Sequence, residues 1–351
     1  MKSEPYLSVV VATRDDHHGG DPQARLRAAL KVYKCQAESF RFPLEYIVVD
    51  WNSPAKSAGV FAQVKTWGLE SDFLKIKVVE VPPAAHKKID EAKIPFYQMI
   101  AKNVGIRRAK GKFVLASNID IFLNDYLFGF LTKKNLKTNR MYRSDRVDLS
   151  VEIMAKIRDG KLLIIPEKFI TRKHTRLKSF LKKDLPFLRK NVNLNYGGIN
   201  SSVPWGRALK ERARLWKKRL GFQGSAGFPL HTNGCGDFTL LARSAWEALR
   251  GYPEFRAFSF HIDSIFCHQA HESGFFEYFL PEPLLHYHID HSHGWTPETN
   301  EELIQRLRAK KIIFIEHQLD MLIQVCRRTA RPIFNPDDWG LLGEVFSERS
   351  I

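Results

Sequence analysis

No Cys-x-x-C pair occurs among the four cysteines, Cys35, Cys235, Cys267 and Cys326, which lie far apart along the chain. This spacing argues against both a zinc cluster and a disulfide framework. Long apolar runs are equally scarce. The run near the start, Leu7 to Ala12, falls short of a signal peptide's apolar core and of the ~20 residues that cross a bilayer, so a cytosolic location is expected. Gly-x-Gly-x-x-Gly and Walker A patterns are both missing, which removes support for a dinucleotide enzyme or a P-loop ATPase. A helical His-Glu-x-x-His run is missing too, and with it the main signature of a zinc hydrolase. There are no internal repeats.

The 351 residues, 44% of them hydrophobic, suffice to bury a core. The formal net charge of +17 is concentrated in one stretch: residues 168–219 hold sixteen Lys or Arg against only Asp184 and Glu211. Bulky apolar residues such as Phe169, Leu177, Phe180 and Leu181 interleave with those cations. Two readings fit, a solvated helical hairpin or lid and a patch facing an anionic membrane surface. Nucleic acid is not expected as a partner, because no recognition motif accompanies the charge.

The first part of the chain alternates β-rich runs with helical spacing. "YLSVVVAT", "LEYIVVDWNS", "FLKIKVVEVPP" and "KFVLASNID" read as buried strands. Helical patterns over "ARLRAALKVYKCQ", Val60 to Trp67 and "IPFYQMIAKNVGIRRAKGK" separate them. This order predicts an α/β fold, a Rossmann-like, mainly parallel sheet with helices on both faces. Ligands of such sheets bind at the carboxyl ends of the strands. Thr13 to Asp16, Asp50 to Ser53 and Asn118 to Asp120 all fall there. Further on, "DLSVEIMAKIRDGKLLIIP" reads as a hairpin turned at Asp159-Gly160, and residues 301–328 as one long amphipathic helix followed by a short polar tail.

Asn118 and Asp120 sit at i and i+2, and on a strand end both side chains would point the same way, toward a cation or its bound water. Polar strand ends are common, so the triplet gains weight only from its neighbourhood. "FYQMIAKNVGIRRAKGKFVLASNIDIFL" resembles the donor-binding core of GT-A-fold nucleotide-sugar glycosyltransferases, in particular the family 2 and galactosyltransferase-like enzymes. Phe96, Asn103, Val104, Gly105, Ser117 and Asp120 match by spacing; Gln98 stands where an Arg is usual, and Asn118 where the family's acidic motif has its first Asp. A second block, "GCGDFTLLARSAWEALRGYPEFRAFSFHIDSIFCHQAHESG", is similar to the acceptor side of the same enzymes, with Asp263 eleven residues before Gly274. A third, "LLHYHIDHSHGW", matches a Tyr-His pair followed by an acidic residue, here Tyr287-His288 and Asp290.

The resemblance implies roles for residues of this chain. Asp120 and His288 would hold a divalent cation, Mn²⁺ or Mg²⁺. Asp263 would be the general base, in a motif whose Glu is replaced by Ile262. Thr13, Arg14, Asp15, Asp50, Asn52, Gln98, Asn103, Asn118 and Ile119 would border the nucleotide-sugar donor, a UDP- or GDP-sugar. Asn233, Gly234, Gly236, Asp237 and His261 would border the transferred sugar and a glycan or lipid-linked acceptor. It implies a metal-dependent, inverting transferase, with the alternative of a scaffold that kept the fold and lost the chemistry. The expected organisation is a nucleotide-sugar-binding half (1–130), a hairpin and basic helical insertion (131–230), an acceptor and metal half (231–298), and a C-terminal helix and tail (299–351). The membrane reading of the basic block would make the enzyme peripheral on the cytoplasmic face.

Overall fold

The computed structural model describes residues 4–16, 20–90, 94–157, 165–174, 230–232, 234–291, 300–315 and 318–351. His17, His18 and Gly19, the Asp159-Gly160 turn, Asn233, His293 and residues 175–219 of the basic block lie outside them.

The elements run β1 (Leu7–Thr13), α1 (Pro22–Ser39), β2 (Leu44–Trp51), α2 (Val60–Lys65), β3 (Leu74–Val81), α3 (Pro83–Lys87), α4 (Gln98–Arg107), β4 (Phe113–Ala116), β5 (Ile121–Leu123), α5 (Asp125–Thr132), β6 (Arg140–Leu149) and β7 (Ile170–His174). They continue as β8 (Thr239–Ala242), α6 (Arg243–Leu249), α7 (Ile262–Glu272), β9 (Phe276–Ile289), α8 (Asn300–Ala309), α9 (Leu319–Arg328) and β10 (Ser347–Ser350). The ten strands of the described residues join one sheet in the order β10-β3-β2-β1-β4-β8-β6-β9-β5, with β7 on β6. The β3-β2-β1-β4 part is parallel throughout, as the alternation predicts. β8 enters antiparallel to β4, and β9 runs parallel to β6 while pairing antiparallel with β5. Each of the four expected segments therefore contributes strands to a common sheet. Among the described residues, no helix is long and apolar enough to cross a membrane.

Every residue of β1, β2 and β4 is buried, which accounts for their continuous apolar runs. Each fully buried Val, Leu or Ile there contributes about 1.5–3 kcal/mol relative to exposure. Gly105 lets α4 lie directly on these strands: a Cβ there would come within 2.5 Å of Val10 and 3.0 Å of Val49. α1 starts where Pro22 follows Asp21, whose carboxylate accepts the Ala24 amide at 2.9 Å. This start carries Arg25 toward the carboxyl end of the sheet.

Three expectations change. The segment after Leu149 is not a strand: Val151–Ala155 form a 3₁₀ helix, and β6 pairs instead with β7. The long C-terminal helix is two, α8 and α9, with Lys311 between them at φ 53. A left-handed residue cannot continue a right-handed helix. The polar tail is also not free, because β10 pairs antiparallel along β3 and closes that edge of the sheet.

Candidate functional site

β4 ends at Ala116, and a turn leads to β5, with the Ile121 amide donating to the Asn118 carbonyl at 3.3 Å. The i, i+2 rule for strands does not apply across such a turn, so Asn118 and Asp120 address different partners. Asp120 reaches the end of β9. There Ile121 is paired with His288, and the Ile289 amide donates to the Asp120 carbonyl at 2.9 Å. Register alone thus delivers one strand's histidine to the other strand's carboxylate.

Asp120 Oδ2 lies 3.2 Å from His291 Nε2, 3.9 Å from His288 Nε2 and 3.5 Å from Arg25 Nε. One ligand atom from each of Asp120, His288 and His291 falls within 4.8 Å of the other two. Asp120 is buried, which alone would favour its neutral form. The His291 hydrogen bond and the charges of His288, His291 and Arg25 outweigh that and hold its carboxyl well below the ordinary range. One carboxylate and two imidazoles form a mixed oxygen and nitrogen donor set, which fits Mn²⁺ better than the all-oxygen shell Mg²⁺ prefers. Asp290, grouped with Tyr287-His288 in the sequence, is not part of the cluster; its amide donates to the Leu149 carbonyl at 2.7 Å. His291 takes the third place.

Along β9, His286 and His288 share a face and Tyr287 takes the other. Tyr287 packs on Phe122 at 5.5 Å between ring centroids. His286 is buried, stacked on Phe238 and 2.8 Å from Ser144 Oγ through Nδ1. Burial lowers its pKa to about 3, so it stays neutral and structural. His288 has the opposite balance: burial works against its charge, but the Asp148 hydrogen bond and the Asp120 charge raise its pKa.

Asn118 faces the loop after residue 233. Its Nδ2 donates to Asp237 Oδ1 at 2.7 Å, its Oδ1 accepts from Gln98 Nε2 at 2.9 Å, and Ser117 Oγ donates to the Asp237 carbonyl at 2.7 Å. Asp237 Oδ2 takes Arg146 Nη1 at 2.6 Å. Burial would raise the Asp237 pKa, but Arg146 and the nearby histidines lower it. Beneath this loop, buried Lys102 donates to the Gly236 carbonyl at 2.7 Å. Burial brings the Lys102 pKa down to about 8, against the pull of Asp237, Asp263 and Asp120, whose charges all reach it. Asp263 opens α7 against the same loop: a Cβ on Gly236 would come within 3.0 Å of its Oδ2, so a larger residue there would push the carboxylate aside. His261 caps this helix in a left-handed conformation, φ 67, packed on Phe260. Gly234, at φ 57, turns the loop.

The residues after β1 and β2 also converge. Asp15 accepts from the Gly59 amide at 3.1 Å and Gln63 Nε2 at 2.7 Å, and its own amide donates to Ser53 Oγ at 2.7 Å. Ser53 in turn donates to Asp50, whose other oxygen takes the Val60 amide at 3.0 Å. Burial raises the Asp50 pKa despite those donors. Arg14 Nη1 and Asn52 Nδ2 both reach the Pro95 carbonyl, at 2.9 and 3.0 Å, just before Gln98. The Thr13 hydroxyl is buried with no hydrogen-bond partner among the described residues. A cleft of about 860 Å³ opens beside this loop, lined by Asp15, Asp21, Arg27, Lys31, Gln63 and Trp67 among others. That volume falls in the ordinary range of small-molecule sites. Asp120, His288 and Asp263 do not line it.

Two expected donor-side residues point elsewhere. Asn103 is fully buried, donates through Nδ2 to the Tyr252 carbonyl at 2.8 Å and to Glu254 at 2.9 Å, and accepts the Tyr252 amide at 2.8 Å. Its amide is committed to the 252–254 loop. The Ile119 side chain packs in the hydrophobic core. Conversely, sequence reasoning missed Arg25, Lys102, Arg146, Asp148 and His174, none of which carried a sequence signal; His291 stood out in the dense histidine run, but as a residue lining the cleft or holding a phosphate and not as a third cation ligand.

No family model matches the chain, and no curated protein matches it. Among solved structures it is similar to the crystal structure of S. aureus TarS, with a TM-score of 0.41 and 14% sequence identity, over 90% of this chain and 42% of that one. The chain thus spans less than half the length of that protein.

Proposed function

We propose that this protein is a glycosyltransferase that moves a sugar from a nucleotide diphosphate donor, a UDP- or GDP-sugar, to a hydroxyl of a glycan or lipid-linked acceptor, with inversion. The reading is carried by the convergence of Asp120, His288 and His291 at the carboxyl ends of the sheet, next to the loop that Asp263 abuts. It is supported by the motif resemblance of Asp120, Asp263 and His288.

Asp120, His288 and His291 would hold a divalent cation, Mn²⁺ by the donor set, against the donor's diphosphate. When bound, such an ion offsets the negative charge that builds on the leaving diphosphate. Asp15, Asp50, Asn52 and the Thr13 hydroxyl border the space for the nucleoside. Asp237, fixed by Asn118 and Arg146, and the Gly234-to-Gly236 turn shape the sugar side. Asp263 would take the proton from the acceptor hydroxyl as that oxygen attacks the anomeric carbon from the face opposite the departing diphosphate. Inversion follows from attack on the opposite face. The basic stretch 168–219 would bring the enzyme to an anionic membrane surface if the acceptor is lipid-linked.

The test is turnover of a panel of UDP- and GDP-sugars with and without Mn²⁺. One donor should be consumed only with the metal, and Asp263→Asn should lower kcat at least ~100-fold, within the span of general base catalysis, while leaving donor affinity intact. A second reading, a donor-binding scaffold without chemistry, is favoured by Ile262, which is buried where the family has a carboxylate. It predicts donor binding without turnover.

A further inference from the structure

The cation cluster has a second carboxylate behind it that no motif marks. Asp148 lies on β6 directly opposite His288 in the parallel β6–β9 pairing. Its Oδ1 is 3.1 Å from His288 Nδ1, and its Oδ2 is 2.7 Å from His174 Nε2. Arg146 Nε completes the cradle at 2.9 Å from Oδ1. Asp148 is buried, and two ring nitrogens and the Arg146 guanidinium face its oxygens, the surroundings of a carboxylate that accepts.

An ionised carboxylate only accepts hydrogen bonds, so the proton shared with His288 sits on Nδ1. In the neutral ring that a cation requires, this leaves Nε2, the nitrogen facing Asp120, to present a lone pair. The same Arg146 that pairs with Asp148 also pairs with Asp237 at 2.6 Å. A chain of contacts therefore runs from His288 through Asp148 and Arg146 to the loop against Asp263.

We propose that Asp148 is a positioning residue for the cation site: it fixes the ring orientation and tautomer of His288 so that Nε2 faces Asp120, and through Arg146 it ties that histidine to the Asp237 loop. The inference rests on the cation reading above. Carboxylates in this position behind a metal-binding histidine also raise its basicity as a ligand. A purely structural Asp148, one ion pair in the sheet, would leave the tautomer and the metal affinity untouched.

Calorimetric titration of Mn²⁺ into the metal-free full chain, without donor, separates the two. Asp148→Ala should bind Mn²⁺ about 10–100-fold more weakly than the wild type. Asp148→Asn should fall between them, because its amide oxygen still accepts from Nδ1. In ¹⁵N-histidine-labelled wild type, at a pH raised until the His288 signals are those of the neutral ring, His288 should carry its proton on Nδ1. In Asp148→Ala it should shift toward the Nε2-protonated form. Wild-type affinity in a folded Asp148→Ala, or an Nε2-protonated His288 in the wild type, overturns the proposal. If the alanine variant does not fold, Asp148→Asn decides, and unchanged affinity there also overturns it. A wild type that binds no Mn²⁺ overturns the cation site itself; binding in the wild type with no effect at residue 148 overturns only this inference.

Discussion

Asn118 donates its amide to Asp237 at 2.7 Å, linking the β4–β5 turn to a loop 119 residues further along the chain. The position where the resembling enzymes have an aspartate is thus filled by a residue whose donor is in use. An aspartate here would face the Asp237 carboxylate with no proton between them.

Asn118→Asp is therefore expected to destabilise the protein by about 1–3 kcal/mol, the cost of a lost hydrogen bond to a charged group and an unpaired buried acceptor. The double variant Asn118→Asp, Asp237→Asn reverses the donor and acceptor and should recover much of that loss, since an asparagine at 237 can still accept from Arg146. Urea unfolding of the four proteins gives the coupling directly. Additive losses would contradict the pairing.

Within the histidine run, position decides role. His291→Ala should weaken Mn²⁺ binding at least ~10-fold, the loss of one ligand in a three-ligand set. His286→Ala should leave Mn²⁺ affinity unchanged and lower the melting temperature, because it empties a buried site against Phe238. Calorimetry and thermal melts on the two variants distinguish a ligand from a core residue.

Lys102 gives a pH signature. Its folded pKa is lowered to about 8, against about 10.4 in an unfolded chain. Between these values the unfolded state binds more protons, so the cost of burying the ammonium is present below pH 8 and relieved as pH rises toward 10.4. Relative to Lys102→Met, wild-type stability should climb across that window, with a limiting slope of about 1.4 kcal/mol per pH unit. A constant difference from pH 7 to about 10 would refute it.

At the far edge of the sheet, Glu348 of β10 lies 3.3 Å from buried Lys77 and 3.1 Å from Arg108. Ile351 exchanges backbone hydrogen bonds with Ile76 at 2.9 and 3.3 Å. Deleting residues 347–351 should lower the urea midpoint: it removes the β10–β3 ladder together with the Glu348 pairs, which are half-exposed and contribute at most about 1 kcal/mol each. It also bares the β3 edge, so light scattering should detect self-association that the full chain does not show.

The parallel half of the sheet was legible because buried strands leave continuous apolar runs and helices between them leave their own period. Asp120 and His288 were legible because they sit in short motifs. Asp148, Arg146 and His174 were not: they reach the site through the register of β6 with β9, where Asp148 and His288 are 140 residues apart, and with β7, where Arg146 and His174 are 28 apart, and local pattern encodes neither pairing. The reverse error at Asn103 has a similar cause, since a motif shows that a residue type is needed but not which way its amide points. β10, "SERS", has no apolar alternation at all; it is a strand because the open edge of β3 supplies its hydrogen-bond partners.

The most direct test of the account is pulsed electron paramagnetic resonance of Mn²⁺ bound to the protein with the nucleotide-sugar donor that it consumes. The account predicts nitrogen couplings from two coordinated imidazoles together with phosphorus couplings from the diphosphate, the nitrogen signals diminishing in His288→Ala and in His291→Ala. Phosphorus couplings without nitrogen, unchanged by either substitution, would contradict it.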